Sequence, residues 1–197
     1  MSPLFETIRI SGRVPLHLGY HAARMNRSRR ELFGMTAPID LAGSIVIPDN
    51  LPPGIHRCRV FYGEHVDEIT FTPYIRREVG SLTLVGADDI SYGHKFTDRS
   101  AIERLRQGIA GDDILIVRRG LITDTSYSNI VFFDGARWVT PASPLLPGTA
   151  RARLLDEWRI TAEEIRVGDL GRFTRAVLVN AMIEFRKDRW IDVKDIR

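Results

Sequence analysis

Lysine is what this 197-residue chain has least of for its charge. Of its 28 basic residues only Lys95, Lys187 and Lys194 are lysines, so Lys95 stands alone in the first 186 positions. Cysteine is rarer still. The single Cys58 excludes an intramolecular disulfide and suits a reducing compartment, so a cytoplasmic protein is expected. No apolar run approaches the ~18 residues that span a bilayer, and Met1 to Glu6 lacks the basic-then-apolar pattern of a signal peptide. Neither a membrane segment nor a leader is expected.

Other absences remove whole classes of chemistry. The five histidines, His17, His21, His56, His65 and His94, form no His-Glu-x-x-His pair, and no cysteine cluster exists, so no metal is expected. There is no Gly-x-Ser-x-Gly elbow, no Gly-x-Gly-x-x-Gly and no phosphate-loop lysine motif. Net charge is only +3, with arginines scattered among acids. The one dense stretch, Arg24 to Arg30, reads as the solvated face of a helix, and no nucleic-acid motif accompanies it.

What is present is an ordinary globular composition, 44% apolar and 27% charged, enough for a real core. Leu4 to Ile10 reads as a strand, Ser11-Gly12-Arg13 as a turn and Val14 to Leu18 as the return. Tyr20 to Phe33 has a helical period that brings His21, Arg24 and Ser28 towards one face. Four prolines between Gly34 and Pro53 predict a loop with at most a short helical turn. Arg57 to Tyr62 and Val66 to Phe71 flank Gly63-Glu64-His65 as a hairpin.

Ser81 to Gly86 is a further strand. Ile102, Leu105 and Ile109 mark a helix capped by Asp98 or Ser100. Strands follow at Asp113 to Val117, Asn129 to Phe133 and Arg137 to Val139, the last two joined at Asp134-Gly135. Leu145 to Arg151 leads into a helix running to about Trp158, a short one follows Thr161, and Ala176 to Asn180 is a final strand before a polar tail. The order predicts an α+β protein of two lobes: a small α/β lobe over residues 1–78, and a larger α+β lobe over 79–197 carrying Lys95.

Lys95 sits in Ile90-Ser91-Tyr92-Gly93-His94-Lys95-Phe96-Thr97-Asp98-Arg99. Arginine cannot lose its proton in a protein, whereas a desolvated lysine can, and its neutral amine condenses with aldehydes. A lysine retained in so arginine-biased a chain is a candidate for Schiff-base chemistry; the plainer alternative is a surface lysine. A phosphate-bearing aldehyde cofactor needs such a lysine, a carboxylate for its ring nitrogen and donors for its phosphate. The chain offers Lys95, then Asp124, then Gly148-Thr149 at a helix start where free N–H groups and the dipole suit an anion, with Arg24 as a further contact. Taken singly, Asp124 is a turn residue, Gly148 the start of a helix and Arg24 a solvated charge. Their joint presence carries the argument.

These segments resemble the fold-type IV pyridoxal-phosphate (PLP) enzymes, the group of branched-chain and D-amino-acid aminotransferases and aminodeoxychorismate lyase. Phe5-Glu6-Thr7-Ile8-Arg9 and His21-x-x-Arg24 resemble the opening strand and following helix. Lys95-Phe96-Thr97-Asp98-Arg99 resembles the catalytic Lys-x-x-Asn-Arg stretch, especially of the lyase-like branch. Ile122-Thr123-Asp124 through Ser128-Asn129-Ile130, Thr140-Pro141, Leu146-Pro147-Gly148-Thr149-Ala150-Arg151 and Val179-Asn180-Ala181-Met182 follow in family order. The resemblance implies the two-lobed fold of D-amino-acid aminotransferase-like enzymes, with Lys95 desolvated in a cleft between the lobes and PLP as cofactor. It implies Lys95 as catalytic lysine, Asp124 as ring-nitrogen partner, and Arg24, Thr149, Asn129 and the N–H groups near Ser128 and Gly148 around the cofactor. It also implies a small-molecule amino substrate and a homodimer.

The departures are specific. The family's ring-nitrogen partner is Glu, and Asp124 is shorter by about 1.5 Å of carbon–carbon bond. Closer backbone, an intervening water, or looser cofactor binding would each accommodate that. Ala150 replaces a family threonine, with Thr149 beside it. The usual N-terminal strand and its Asp-Arg-Gly loop are absent, and Gly34 to Gly80 is shortened. The expected activity is that of 4-amino-4-deoxychorismate lyase, eliminating pyruvate to give 4-aminobenzoate in folate synthesis. Class IV transamination is the alternative, and a shortened non-catalytic PLP-binding paralogue a further one.

Overall fold

A computed structural model describes residues 3–197, which divide into two compact units. The first comprises residues up to Arg76 together with His94–Thr97, the second Arg77–Gly93 with Asp98–Arg197.

In the first unit, β1 (Leu4–Ser11), β2 (Val14–Pro15), β3 (Ile55–Tyr62) and β4 (Val66–Pro73) form an antiparallel sheet in the order β2-β1-β3-β4. Alternation decides its faces. Leu4, Ile8 and Ile10 from β1 and Cys58, Val60 and Tyr62 from β3 are fully buried, and with Met25 and Leu41 they form the core. The expected second strand of the first hairpin shortens to two residues, because α1 begins at Leu18 and runs to Phe33. Gly34 closes that helix in the left-handed region (φ 67°), its N–H donating to the last carbonyls. α2 is the single turn Leu41–Ser44, capped by Asp40.

The reading of Arg24 to Arg30 as a solvated face is corrected here. Arg24 and Arg29 are buried. Arg29 donates to the Glu64 carbonyl through Nε and Nη2 (2.9 and 2.7 Å) and to the Ala37 carbonyl (2.7 Å). Its head therefore satisfies backbone groups that a loop would otherwise leave to water.

Lys95 also belongs with this first unit, not with the larger one as the sequence suggested. The Phe5 N–H donates to the Lys95 carbonyl (3.0 Å), Leu4 bridges Phe96, and the Thr97 N–H donates to the Pro3 carbonyl (2.9 Å). Three backbone contacts thus bind the Lys95 segment alongside β1.

The second unit contains β5 (Leu82–Gly86), α3 (Ser100–Leu105), β6 (Asp113–Arg118), β7 (Leu121–Thr125), β8 (Asn129–Phe133), β9 (Trp138–Pro141), α4 (Thr149–Asp156), β10 (Thr161–Glu163), β11 (Arg175–Val179) and β12 (Ile191–Asp192). The strands run β10-β9-β8-β7-β6-β5, with β11 pairing β8 and β12. β5–β6 and β9–β10 are parallel, the rest antiparallel. β8 is buried on both faces: Ile130 and Phe132 enter one apolar cluster and Val131 the other.

Three expectations change. The segment after Thr161 is a strand, because it pairs with Val139, Thr140 and Pro141 of β9 instead of closing helical bonds. α3 stops at Leu105, short of Ile109. The supposed polar tail buries Phe185, Ile191, Val193 and Ile196. Among the described residues no helix is long and apolar enough to cross a membrane.

Candidate active site

In the first unit the β1 alternation that buries Leu4 and Ile8 also turns Glu6 into the core, where it is wholly inaccessible. An ionised carboxylate cannot stay there uncompensated. α1 supplies the compensation: Arg24 donates through Nε to Oε1 (2.8 Å) and through Nη2 to Oε2 (2.6 Å), and His21 Nδ1 lies 2.7 Å from Oε2. Burial alone would raise the Glu6 carboxyl, but the Arg24 charge and the bonds from His21 and Arg24 overcome it and hold Glu6 at about 2. One turn further on, Ser28 Oγ is 3.0 Å from His94 Nδ1. The neighbouring Lys95 places its Nζ 4.7 Å from the centre of the Phe5 ring, which stacks on Phe61.

The second unit gathers Asp124, Ser128, Asn129, Gly148 and Thr149, all but Gly148 buried. Asp124 and Asn129 are the register pair that joins β7 to β8. Asn129 Nδ2 donates to Asp124 Oδ1 (2.7 Å), and the Leu146 N–H donates to Oδ2 (2.7 Å). Burial pushes the Asp124 carboxyl up to about 7, against those bonds and the charge of Arg151. Arg151 itself donates to the Pro141 carbonyl (2.7 Å).

Gly148 precedes α4 without any side-chain cap. The first helical bond runs from the Ala152 N–H to the Gly148 carbonyl, so the N–H groups of Thr149, Ala150 and Arg151 lie ahead of the ladder, as an anion site requires. Ser128 contributes differently from expectation. Its N–H is taken by Thr125 Oγ1 (3.1 Å), and its hydroxyl accepts from Asn180 Nδ2 (2.9 Å).

The structure thus gathers Lys95 and Arg24 in one unit and the other five predicted residues in the second. Sequence reasoning gave no role to Glu6, although a lone acid on the apolar side of an alternating strand was a readable signal. It placed Asn180 in the closing strand without giving it a role; its side chain closes the Tyr127–Ser128 turn and accepts from the N–H groups of Met182 and Ile183.

Comparison with known proteins identifies the family and the fold. The family model of class IV aminotransferases matches residues 71–187. An uncharacterized protein of Haemophilus influenzae is 37% identical over 185 residues, covering 92% of this chain and 98% of that one. A crystal structure from Haemophilus somnus 129pt, described as a candidate 4-amino-4-deoxychorismate lyase, is 34% identical with a TM-score of 0.86, covering 94% of this chain and 98% of its own. A structure described as a hypothetical aminotransferase from Mycobacterium tuberculosis, in PLP-bound form, shares the fold at 16% identity and a TM-score of 0.74, over 99% of this chain and 81% of its own. On the family model and the Haemophilus influenzae relative, the chain belongs to the class IV aminotransferase family, whose members depend on PLP.

Proposed function

We propose that this protein is a PLP-dependent enzyme acting on an amino substrate, in the manner of 4-amino-4-deoxychorismate lyase. The observation that carries the reading is Asp124. Its carboxylate is buried among neutral donors and is pushed up to about 7, so it lacks a cation in close contact. A protonated ring nitrogen supplies one. The uncapped start of α4 fits phosphate oxygens, and Lys95 is the lysine available to an aldehyde in the first 186 residues. The residues present therefore fit PLP.

When bound, PLP supplies an electron-accepting ring that stabilises negative charge on the carbon bearing the substrate nitrogen. In this reading Lys95 would hold the group through its Nζ, and that amine would take the proton from the substrate carbon. Asp124 keeps the ring nitrogen protonated. Thr149, the Ser128 hydroxyl and the N–H groups after Gly148 would hold the phosphate. Removal of that proton and departure of the enolate of pyruvate, which takes up a proton to become pyruvate, would leave an aromatic ring, 4-aminobenzoate. The lyase is preferred over transamination because the Haemophilus somnus relative, at 34% identity, carries that activity in its description.

The test begins with an absorbance spectrum of the protein plus PLP, then borohydride reduction and peptide mass mapping. A visible band and a pyridoxyl mass on the Lys95 peptide are expected. No band, or label confined to Lys187 or Lys194, overturns the assignment. With cofactor loaded, pyruvate should appear from aminodeoxychorismate. Turnover of an amino acid with 2-oxoglutarate and no pyruvate would put transamination in its place.

A further inference from the structure

The resemblance places Asn129 among the residues around the cofactor, but its side chain is already committed. Nδ2 carries two hydrogens, and both are spent within the protein, one on Asp124 Oδ1 (2.7 Å) and one on the Leu146 carbonyl (2.9 Å). Its oxygen lies against Gly148, where an added Cβ would overlap it. Gly148 has an ordinary φ of −74°, so the glycine is required there for space and not for backbone freedom. Leu146 completes a closed bracket, since its carbonyl accepts from Asn129 while its N–H donates to Asp124 Oδ2 (2.7 Å).

We infer that Asn129 is a positioning residue and not a cofactor ligand: it sets where the Asp124 carboxylate stands and ties it to the Leu146–Gly148 loop that opens α4. Each carboxylate oxygen receives one bond from the bracket, and the Leu145 N–H bears on the same carboxylate. This answers the missing methylene. A carboxylate on a shorter side chain is held at a defined place by two donors, one of them rooted directly across the β7–β8 ladder. It also means that the carboxylate and the start of α4 move together. The consequence for PLP rests on the reading of Asp124 as ring-nitrogen partner; the positioning itself does not.

The experiment uses the full chain, free of cofactor and labelled with carboxyl-13C aspartate, with the Asp124 signal assigned by Asp124→Asn. The charged side chain acting on this carboxylate is Arg151 of α4, which is left unchanged in every variant. The wild-type midpoint is expected near 7, and Asn129→Leu should raise it by about one unit, a tenfold change in proton affinity, because a donor to the charged form is lost. Gly148→Ala, which displaces the Asn129 oxygen, should move it the same way, and should add nothing in an Asn129→Ala background. The second pair keeps the test intact if Asn129→Leu does not fold. An unmoved midpoint in the folded variants overturns the inference, above all if PLP affinity falls while the midpoint stays, since Asn129 would then be a direct ligand. Asp124→Asn binding PLP as tightly as the wild type would instead remove the ring-nitrogen reading, and the carboxyl titration would still decide the role of Asn129.

Discussion

Each unit of this protein buries one carboxylate that matters, and the two respond to burial in opposite ways. Glu6 is 0% exposed and held at about 2; Asp124 is 5% exposed and raised to about 7. Depth does not separate them; the charge of the donors does. Glu6 meets Arg24 in a two-bond fork with His21 beside it, whereas the bonds to Asp124 come from an amide side chain and a backbone N–H. Neutral dipoles offset part of a desolvation cost; a guanidinium in contact reverses it. Glu6 is thus electrostatically complete within its own unit, while Asp124 rests on neutral donors alone at its two oxygens.

The largest expected effect breaks the completed side. Arg24→Met leaves Glu6 buried beside His21 alone, and removing one partner of a buried pair costs about 3–5 kcal/mol. Urea unfolding at pH 7 measures it. The double variant Glu6→Gln/Arg24→Met should recover most of the loss, because the buried charge is gone. A cost below ~1 kcal/mol for the single variant would show that the pair does not hold α1 to β1.

The two carboxylates should also give stability slopes of opposite sign in the cofactor-free protein. Glu6 is depressed from 4.5 to about 2 on folding, so its contribution is complete above 4.5 and is lost as pH falls towards 2, about 3 kcal/mol in all. Asp124 is raised from 3.8 to about 7, so the folded state keeps a proton that the unfolded chain releases. Stability therefore declines as pH rises from about 4 to 7 and then levels, by up to about 4 kcal/mol. Asp124→Asn should abolish that decline and leave the acid-side loss from Glu6 unchanged. Chemical denaturation between pH 3 and 8 would expose a decline surviving in Asp124→Asn, which would assign it to another group.

How much of this was legible in the sequence depended on the range of the contacts. Asp124 and Asn129 are five apart and face each other across one ladder step, so their motif survived in one dimension. Elements with strong alternation or a helical period, such as β1, β3, β6 and α1, were also readable. Arg24 and Arg29 were misjudged because charge alone argues for the surface, and their partners Glu6 and Glu64 stand 18 and 35 positions away. Lys95 was given to the wrong lobe for a similar reason: helix and strand periods say nothing about an irregular segment whose backbone partners are Pro3 and Phe5. β10 is three residues long, and its pairing with β9 had no local signature.

The smallest expected effect concerns the lysine itself. Lys95 Nζ stands over the Phe5 ring at 4.7 Å, and an aromatic face attracts an ammonium but not a neutral amine. At ~0.5–1 kcal/mol, this preference holds back the neutral, reactive form by about two- to fivefold. Phe5→Leu should therefore speed reductive methylation of Lys95 at pH 7 by that factor, read by peptide mass mapping. Phe61→Leu serves as the control, because it removes the ring stacked on Phe5 at 6.1 Å while leaving the ring under Lys95 in place. If both variants speed the reaction equally, loosened packing is the cause and the ring is no brake on the amine. If Phe5→Leu alone does so, the first unit holds two cations in different ways, Arg24 by a carboxylate that completes it and Lys95 by an aromatic face weak enough to release it.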